Sequence, residues 1–218
     1  MFSSIGDIIQ LLVNRDWEAF RSNVMANPDY FRHLAGAISA CSQLNGMTLL
    51  HAIVRYNPPL DIVARMIEFC PHMPAAKDCL HRTPLHVAAG LKASASLLDL
   101  LASAYPAACD AQDEGNKTPL HFVCDSSCVL FEDDLFENDS IPSHEAVEVL
   151  LTYSFHAAIL KDDEDMIPVE HAIMSDAEQR TVRLLQNAAV VHSRLTQQPV
   201  EDSAENYDRT QMPRRVTE

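Results

Sequence analysis

The chain has 218 residues, 47% hydrophobic and 22% charged, with Lys+Arg 16 against Asp+Glu 31 for a net charge of −15. That length and balance suit one domain, or a repeat array, with a continuous apolar core. They exclude nucleic acid as the main partner, because a chain this acidic without a basic patch repels phosphates, and no run reaches the roughly 18 apolar residues of a membrane span.

The charge is localised. Residues 1–124 and 166–218 each carry a net −2, whereas 125–165 holds 12 acidic and 1 basic side chain, a net −11. At the N-terminus, Ile8-Ile9-Gln10-Leu11-Leu12-Val13 is broken by Gln10 and preceded by Asp7, a poor match to a secretory signal. Residues 6–27 instead read as two helical stretches, with Ile8, Ile9, Leu11 and Leu12, then Trp17, Phe20 and Val24, as apolar positions. Asp16-Trp17-Glu18 starts the second, with acids near its N-terminus, and Asn27-Pro28 is expected to close it. A helix near 30–40 completes an N-terminal helical cap over 1–44.

From residue 45 the chain repeats itself. Thr48-Leu49-Leu50-His51, Thr83-Pro84-Leu85-His86 and Thr118-Pro119-Leu120-His121 recur every 35 residues, with Cys70-Pro71 matching Tyr105-Pro106 and Asp78 matching Asp113. A fourth copy, Ile167-Pro168-Val169-Glu170, lies 49 residues beyond the third, so extra residues sit inside the third unit. Thr can cap a helix start, and Pro at the next position loses no hydrogen bond. A small-residue stretch such as Val87-Ala88-Ala89 lets neighbouring helices approach. A second helix follows in each unit, with apolar stripes at helical period: Ile62, Val63, Met66 and Ile67; Leu97, Leu98, Leu100 and Leu101; Val147, Val149, Leu150 and Leu151. Polar runs, Asp78 to Arg82 and Asp113 to Lys117, then turn into the next Thr. Two short helices and a protruding turn per unit make a solenoid.

These units resemble ankyrin repeats, whose T-P-L-H-x-A signature is carried most fully by Thr83 to Ala88. The resemblance covers about residues 45–190. It implies an all-α fold: an ankyrin-repeat solenoid of paired antiparallel helices, with an N-terminal half-repeat cap, about four units over 45–195, a closing helix over 177–195 and a disordered tail at 196–218. It also implies that His51, His86 and His121 are structural, bridging backbone and the capping Thr between adjacent units. The departures are Leu49 for Pro in the first unit, and Ile167 and Glu170 for Thr and His in the fourth. The turn Gly appears at Gly46 and, shifted by one, at Gly115; His81 stands there in the second unit, where a less regular turn is expected.

The insertion falls at 127–142, where Glu132, Asp133, Asp134, Glu137 and Asp139 alternate with Leu130, Phe131, Leu135 and Phe136. Two readings stand open. It is a solvated loop whose aromatics fold back on the solenoid, or a docking segment (Phe131, Asp133, Asp134, Leu135, Phe136) offering apolar anchors among acids to a basic partner's groove. Ser140 can be phosphorylated, though nothing singles it out. Asp162 to Asp165 form a second acidic cluster that lacks the spacing of a calcium loop.

Position in the repeat assigns a partner-facing surface: Leu44, Asn45, Met47, Cys79, Leu80, Arg82, Glu114, Lys117, Asp163, Glu164 and Met166 in the turns, with Arg55, Tyr56, Leu91, Asp125 and Ser126 at the ends of the first helices. The six cysteines contain no C-x-x-C and read as small core residues in a reducing compartment. His121, Cys124, Cys128 and His144 assemble into a zinc set only on paper, and no metal or cofactor is expected. G-x-S-x-G, H-E-x-x-H, P-loop and G-x-G-x-x-G motifs are all absent. The resemblance therefore implies a non-enzymatic module for protein–protein interaction. That means a cytoplasmic or nuclear adaptor, scaffold or inhibitor, monomeric alone, binding a protein of basic character through its concave face and acidic C-terminal half. The alternatives are a regulatory subunit of an enzyme complex, or an enzyme using Cys and His chemistry.

Overall fold

The computed structural model describes residues 5–22, 26–39, 45–131 and 141–197, and among them the regular elements are all helical, with no strand. The tail expected at 196–218 lies outside the described residues from 198 on.

The N-terminal region holds α1 (Ile5–Val13), α2 (Trp17–Phe20) and α3 (Pro28–Ser39). Left-handed Arg15 (φ 53°) ends α1, letting the Asp16 amide donate back to the Leu11 carbonyl. Asp16 then caps α2, its carboxylate accepting the Ala19 N–H at 3.0 Å. Asn27-Pro28 opens α3 rather than closing what precedes it: Asn27 Oδ1 accepts the Asp29 and Tyr30 amides, both at 3.1 Å. The Asn cap and Pro at the first helical position are both start signals, so this pair belongs to the beginning of α3 and not to the end of the preceding stretch.

Eight further helices form two rows. The first row is α4 (Leu49–Val54), α6 (Pro84–Gly90), α8 (Pro119–Cys124) and α10 (Pro168–Met174). The second is α5 (Leu60–Phe69), α7 (Ala95–Ala104), α9 (His144–Tyr153) and α11 (Gln179–Gln197). Within each row every helix packs on its predecessor. One core cluster runs from Ile8 through Leu50, Met66, Leu85, Leu98, Leu120 and Leu150 to Ala188. First-row helices include small buried side chains, Ala88, Ala89 and Ala172 among them, alongside leucines such as Leu50, Leu85 and Leu120 that reach into the core. Arg21 binds Asp61 through two bonds of 2.8 Å, fastening the N-terminal region to α5.

The helix starts are alike for a physical reason. Thr48, Thr83 and Thr118 each form a reciprocal capping box with the His three residues on. The imidazole Nδ1 accepts the Thr backbone N–H at 3.0–3.1 Å, so the ring proton sits on Nε2. That Nε2 donates forward: His51 to the Arg82 carbonyl (2.9 Å), His86 to Ala111 and Lys117 (3.0 and 3.2 Å), His121 to Met166 (3.2 Å). In the fourth copy the Glu170 carboxylate takes over, accepting the Ile167 amide at 2.8 Å.

The turns are equally uniform, contrary to the expectation for the second unit. Gly46 (φ 75°), His81 (60°), Asn116 (56°) and Asp165 (65°) all occupy the left-handed region at one repeat position. His, Asn and Asp tolerate that conformation well enough to replace glycine. Each of Asp78, Asp113 and Asp162 also braces its turn, one carboxylate oxygen accepting backbone N–H groups two and four residues on at 2.8–3.0 Å.

Candidate binding face

Neighbouring turns are joined by one backbone hydrogen bond each. Cys79 donates to the Asn45 carbonyl (2.8 Å), Glu114 to Leu80 (2.9 Å) and Asp163 to Gly115 (3.1 Å). The result is a rail along one edge of the molecule. Of the residues assigned there, Asn45, Cys79, Leu80, Glu114, Asp163 and Glu164 are exposed, while Met47 and Met166 are half-buried and Leu44 lies outside the described residues. Asn116 donates to Asp163, so a side-chain bond doubles the last backbone link.

Lys117, Asp125, Ser126, Glu164 and Met166, all assigned to the face, gather with Ser127, His171, Met174 and Ser175 around a cleft of about 260 Å³. Two assignments need correction, because Arg82 and Asp125 are buried, at 7% exposure each. Arg82 is held by the Asp78 carboxylate at 2.8–2.9 Å, and its Nη1 donates to the Leu130 carbonyl at 3.1 Å. Asp125 accepts from Ser127 Oγ (2.7 Å), the Ser127 amide (2.9 Å) and Lys117 Nζ (3.2 Å). Burial works against that carboxylate, but the Ser127 and Lys117 bonds outweigh it and hold the pKa below the ordinary aspartate value. A charge placed in the middle of a row of side chains is paired by its neighbours before any partner arrives.

Asp162 stands behind the cleft, accepting from His171 Nε2 at 2.7 Å, and the other His171 nitrogen lies 3.8 Å from Asp125. This His171–Asp162 pair escaped the sequence reading, since His171 lies one position past the repeated motif.

Arg55, Gly90 and Asp125 share one position in the repeat, and the insertion begins two residues after the third of them. In the first, second and fourth units a left-handed residue (Asn57, Lys92, Asp176) ends the first-row helix; the matching Ser127 does not. Asp125 is extended instead (φ −95°, ψ 107°), and the chain turns back over the face. Lys92 compensates the open helix end: its ammonium donates to the Phe122, Val123 and Asp125 carbonyls at 2.6, 3.2 and 2.6 Å. Leu130 lands on Gly90, where an added Cβ would lie 2.5 Å from Leu130 Cδ1. Phe131, half-buried against the core, lies under the guanidinium of Arg55 (4.1 Å to the ring centroid) and near that of Arg82 (5.3 Å). Phe131 thus folds back on the molecule, whereas Asp133, Asp134, Leu135, Phe136 and Ser140 lie outside the described residues. Leu91 and Tyr56, assigned to the face, are half-buried and pack on the core. Glycine at 90, the last residue of α6, could have drawn attention through its alignment with Arg55 and Asp125.

The His and Cys chemistry is subdued. Burial drives the His86 pKa down to about 3 and that of His121 to about 4, keeping both neutral. Burial also pushes the Cys109 and Cys124 thiols up to about 12 and Cys128 to about 11, so these sulfurs stay protonated and weakly nucleophilic. Both His121 nitrogens are engaged, and His144 Nδ1 lies 3.3 Å from Thr181 Oγ1. Among the described residues no group of three His, Cys, Asp or Glu side chains could hold a metal ion, and no helix is long and apolar enough to cross a membrane. No family model matches the chain, and neither does any curated protein.

Proposed function

We propose that this chain is an ankyrin-like repeat protein whose function is to bind another protein, without catalysis of its own, through the turn rail and the adjoining inner face. The observation that carries the reading is the rail: three turns built alike and bonded edge to edge present different side chains, Cys79-Leu80, Glu114 and Asp163-Glu164, at fixed spacing. Rigid backbone with separately variable side chains suits an extended recognition surface. The acids Glu114, Asp163 and Glu164 favour a partner with basic character, and association then weakens with salt. Five free thiols among the described residues favour a reducing compartment. An adaptor, a scaffold, an inhibitor and a regulatory subunit of an enzyme complex all fit this description.

The test begins with affinity capture and ends with purified components. Leu80→Asp and Glu164→Arg, both at exposed positions, should leave thermal unfolding unchanged and weaken a captured partner by about tenfold or more. Affinity should also fall steadily between low and high salt. A partner indifferent to both substitutions and to ionic strength would sink the proposal.

A further inference from the structure

Leu130 and Phe131 follow the third first-row helix, yet they cross its predecessor and reach the one before that. Leu130 rests on Gly90 of α6, and Phe131 reaches Arg55, which closes α4. A repeat that continued normally at residue 127 would leave this strip of the inner face to solvent or to a partner. The strip has the parts of a peptide-binding seat. Gly90 supplies a notch that only a residue without Cβ can leave, and the Leu130 side chain fills it. Arg82, fixed by Asp78, gives a backbone-reading donor, its Nη1 bonded to the Leu130 carbonyl at 3.1 Å. Arg55 and Arg82 put two cations around one aromatic ring. The notch and the carbonyl contact read a leucine, and the two guanidiniums read the phenylalanine that follows it.

We propose that Gly90, Arg82 and Arg55 form a recognition site for a Leu-Phe peptide segment, which the chain occupies with its own Leu130-Phe131, so that a partner bearing such a segment must displace it. This rests on the binding-face reading above and names the chemistry of one part of that face.

A fluorescent peptide with the sequence of residues 127–139 tests this by titration into three full-length chains: the natural one, the double variant Leu130→Ser with Phe131→Ala, and that variant with Arg55→Ala added. Circular dichroism and thermal unfolding check the fold, and Phe131→Ala alone serves if the double variant is unstable. The vacated seat should bind the peptide at least about tenfold more tightly than the natural chain, and loss of Arg55 should remove about fivefold of that. Equal binding to natural and vacated chains, binding indifferent to Arg55, or no binding in the millimolar range would overturn the proposal and leave Leu130-Phe131 as an architectural strap. Exchange of the segment between two copies, seen as a concentration-dependent dimer of the natural chain, would also overturn occupation within one molecule. Substitutions in the turn rail do not enter this titration, so failure of the seat and failure of the wider binding face are separately visible.

Discussion

The helices α6 and α8 start identically and end differently. Both open on Thr-Pro-Leu-His, with the same capping box, the same imidazole tautomer and the same forward bond to the next turn. At its end α6 runs through Gly90 to left-handed Lys92, the Ala93 amide closes onto the Ala88 carbonyl, and α7 begins at Ala95. The end of α8 has no left-handed residue, its last carbonyls go to the ammonium of Lys92, and α9 begins only at His144. A helix start is specified within four residues. A helix end depends on what else is near enough to take its carbonyls, and here the donor comes from the preceding repeat, 30 to 33 residues away.

Four measurements would break or sharpen that contrast. The shared starts should be the acid-sensitive part. His86 and His121, with folded pKa values of about 3 and about 4, and His51, also depressed by burial, bind protons in the unfolded chain before they do so in the native one. Stability is therefore intact above pH 6.5 and falls as pH drops toward 4, by about 1.4 kcal/mol per pH unit for each of His86 and His121, with His51 acting in the same direction. Asp113, whose carboxyl burial raises, works in the opposite sense. Urea titrations at pH 7 and pH 4.5 should differ by several kcal/mol in unfolding free energy; superimposable curves would contradict neutral, buried rings.

His86→Ala removes the box and the forward bond together and leaves a cavity beside Phe122, whose ring meets the imidazole edge-on at 5.8 Å. A loss of about 3 kcal/mol is expected by denaturant unfolding. Exposed Glu114→Ala should stay within about 0.5 kcal/mol. Lys92→Met tests the dissimilar ends, keeping the aliphatic stem and deleting the charge. It should cost about 1–3 kcal/mol, with hydrogen exchange rising first at the end of α8 and at the insertion rather than in α6.

Gly90→Ala separates helix propensity from the seat. In a free helix Ala is favoured by about 1 kcal/mol. Here its Cβ meets Leu130 at 2.5 Å, so the chain should become no more stable, or slightly less, with Leu130 and Phe131 exchanging faster. Gly115→Ala, whose Cβ meets only Asp113 Oδ1 at 3.6 Å, is the matched control and should sit within about 0.5 kcal/mol of the natural chain.

What was legible beforehand follows the same division. The capping Thr residues, the apolar stripes of the second-row helices and the presence of an insertion could be read from spacing, because they depend on local periodicity. The repeat resemblance supplied the structural role of His51, His86 and His121, whose forward bonds reach 25 to 45 residues on. The regularity of the turn at His81 was misread by treating glycine as the only left-handed residue. The exposure of Arg82 and Asp125 was misread because pairing with Asp78 and Lys117 is a three-dimensional matter. Gly90 carried a signal in its alignment with Arg55 and Asp125, but without Leu130 above it that signal had no meaning.

By itself the sequence determined where helices begin, how far apart they recur and which faces are apolar, because caps and periodicities act over a few residues. The tertiary structure alone decided which carbonyls Lys92 takes, which charges are paired before a partner arrives, and where Leu130 and Phe131 lie. The Lys92, Leu130 and Phe131 contacts join residues 30 to 76 positions apart. Even the charge pairs, 4 and 8 positions apart, depend on how the turns fold, so the chain's path and the space left by a missing Cβ set the geometry.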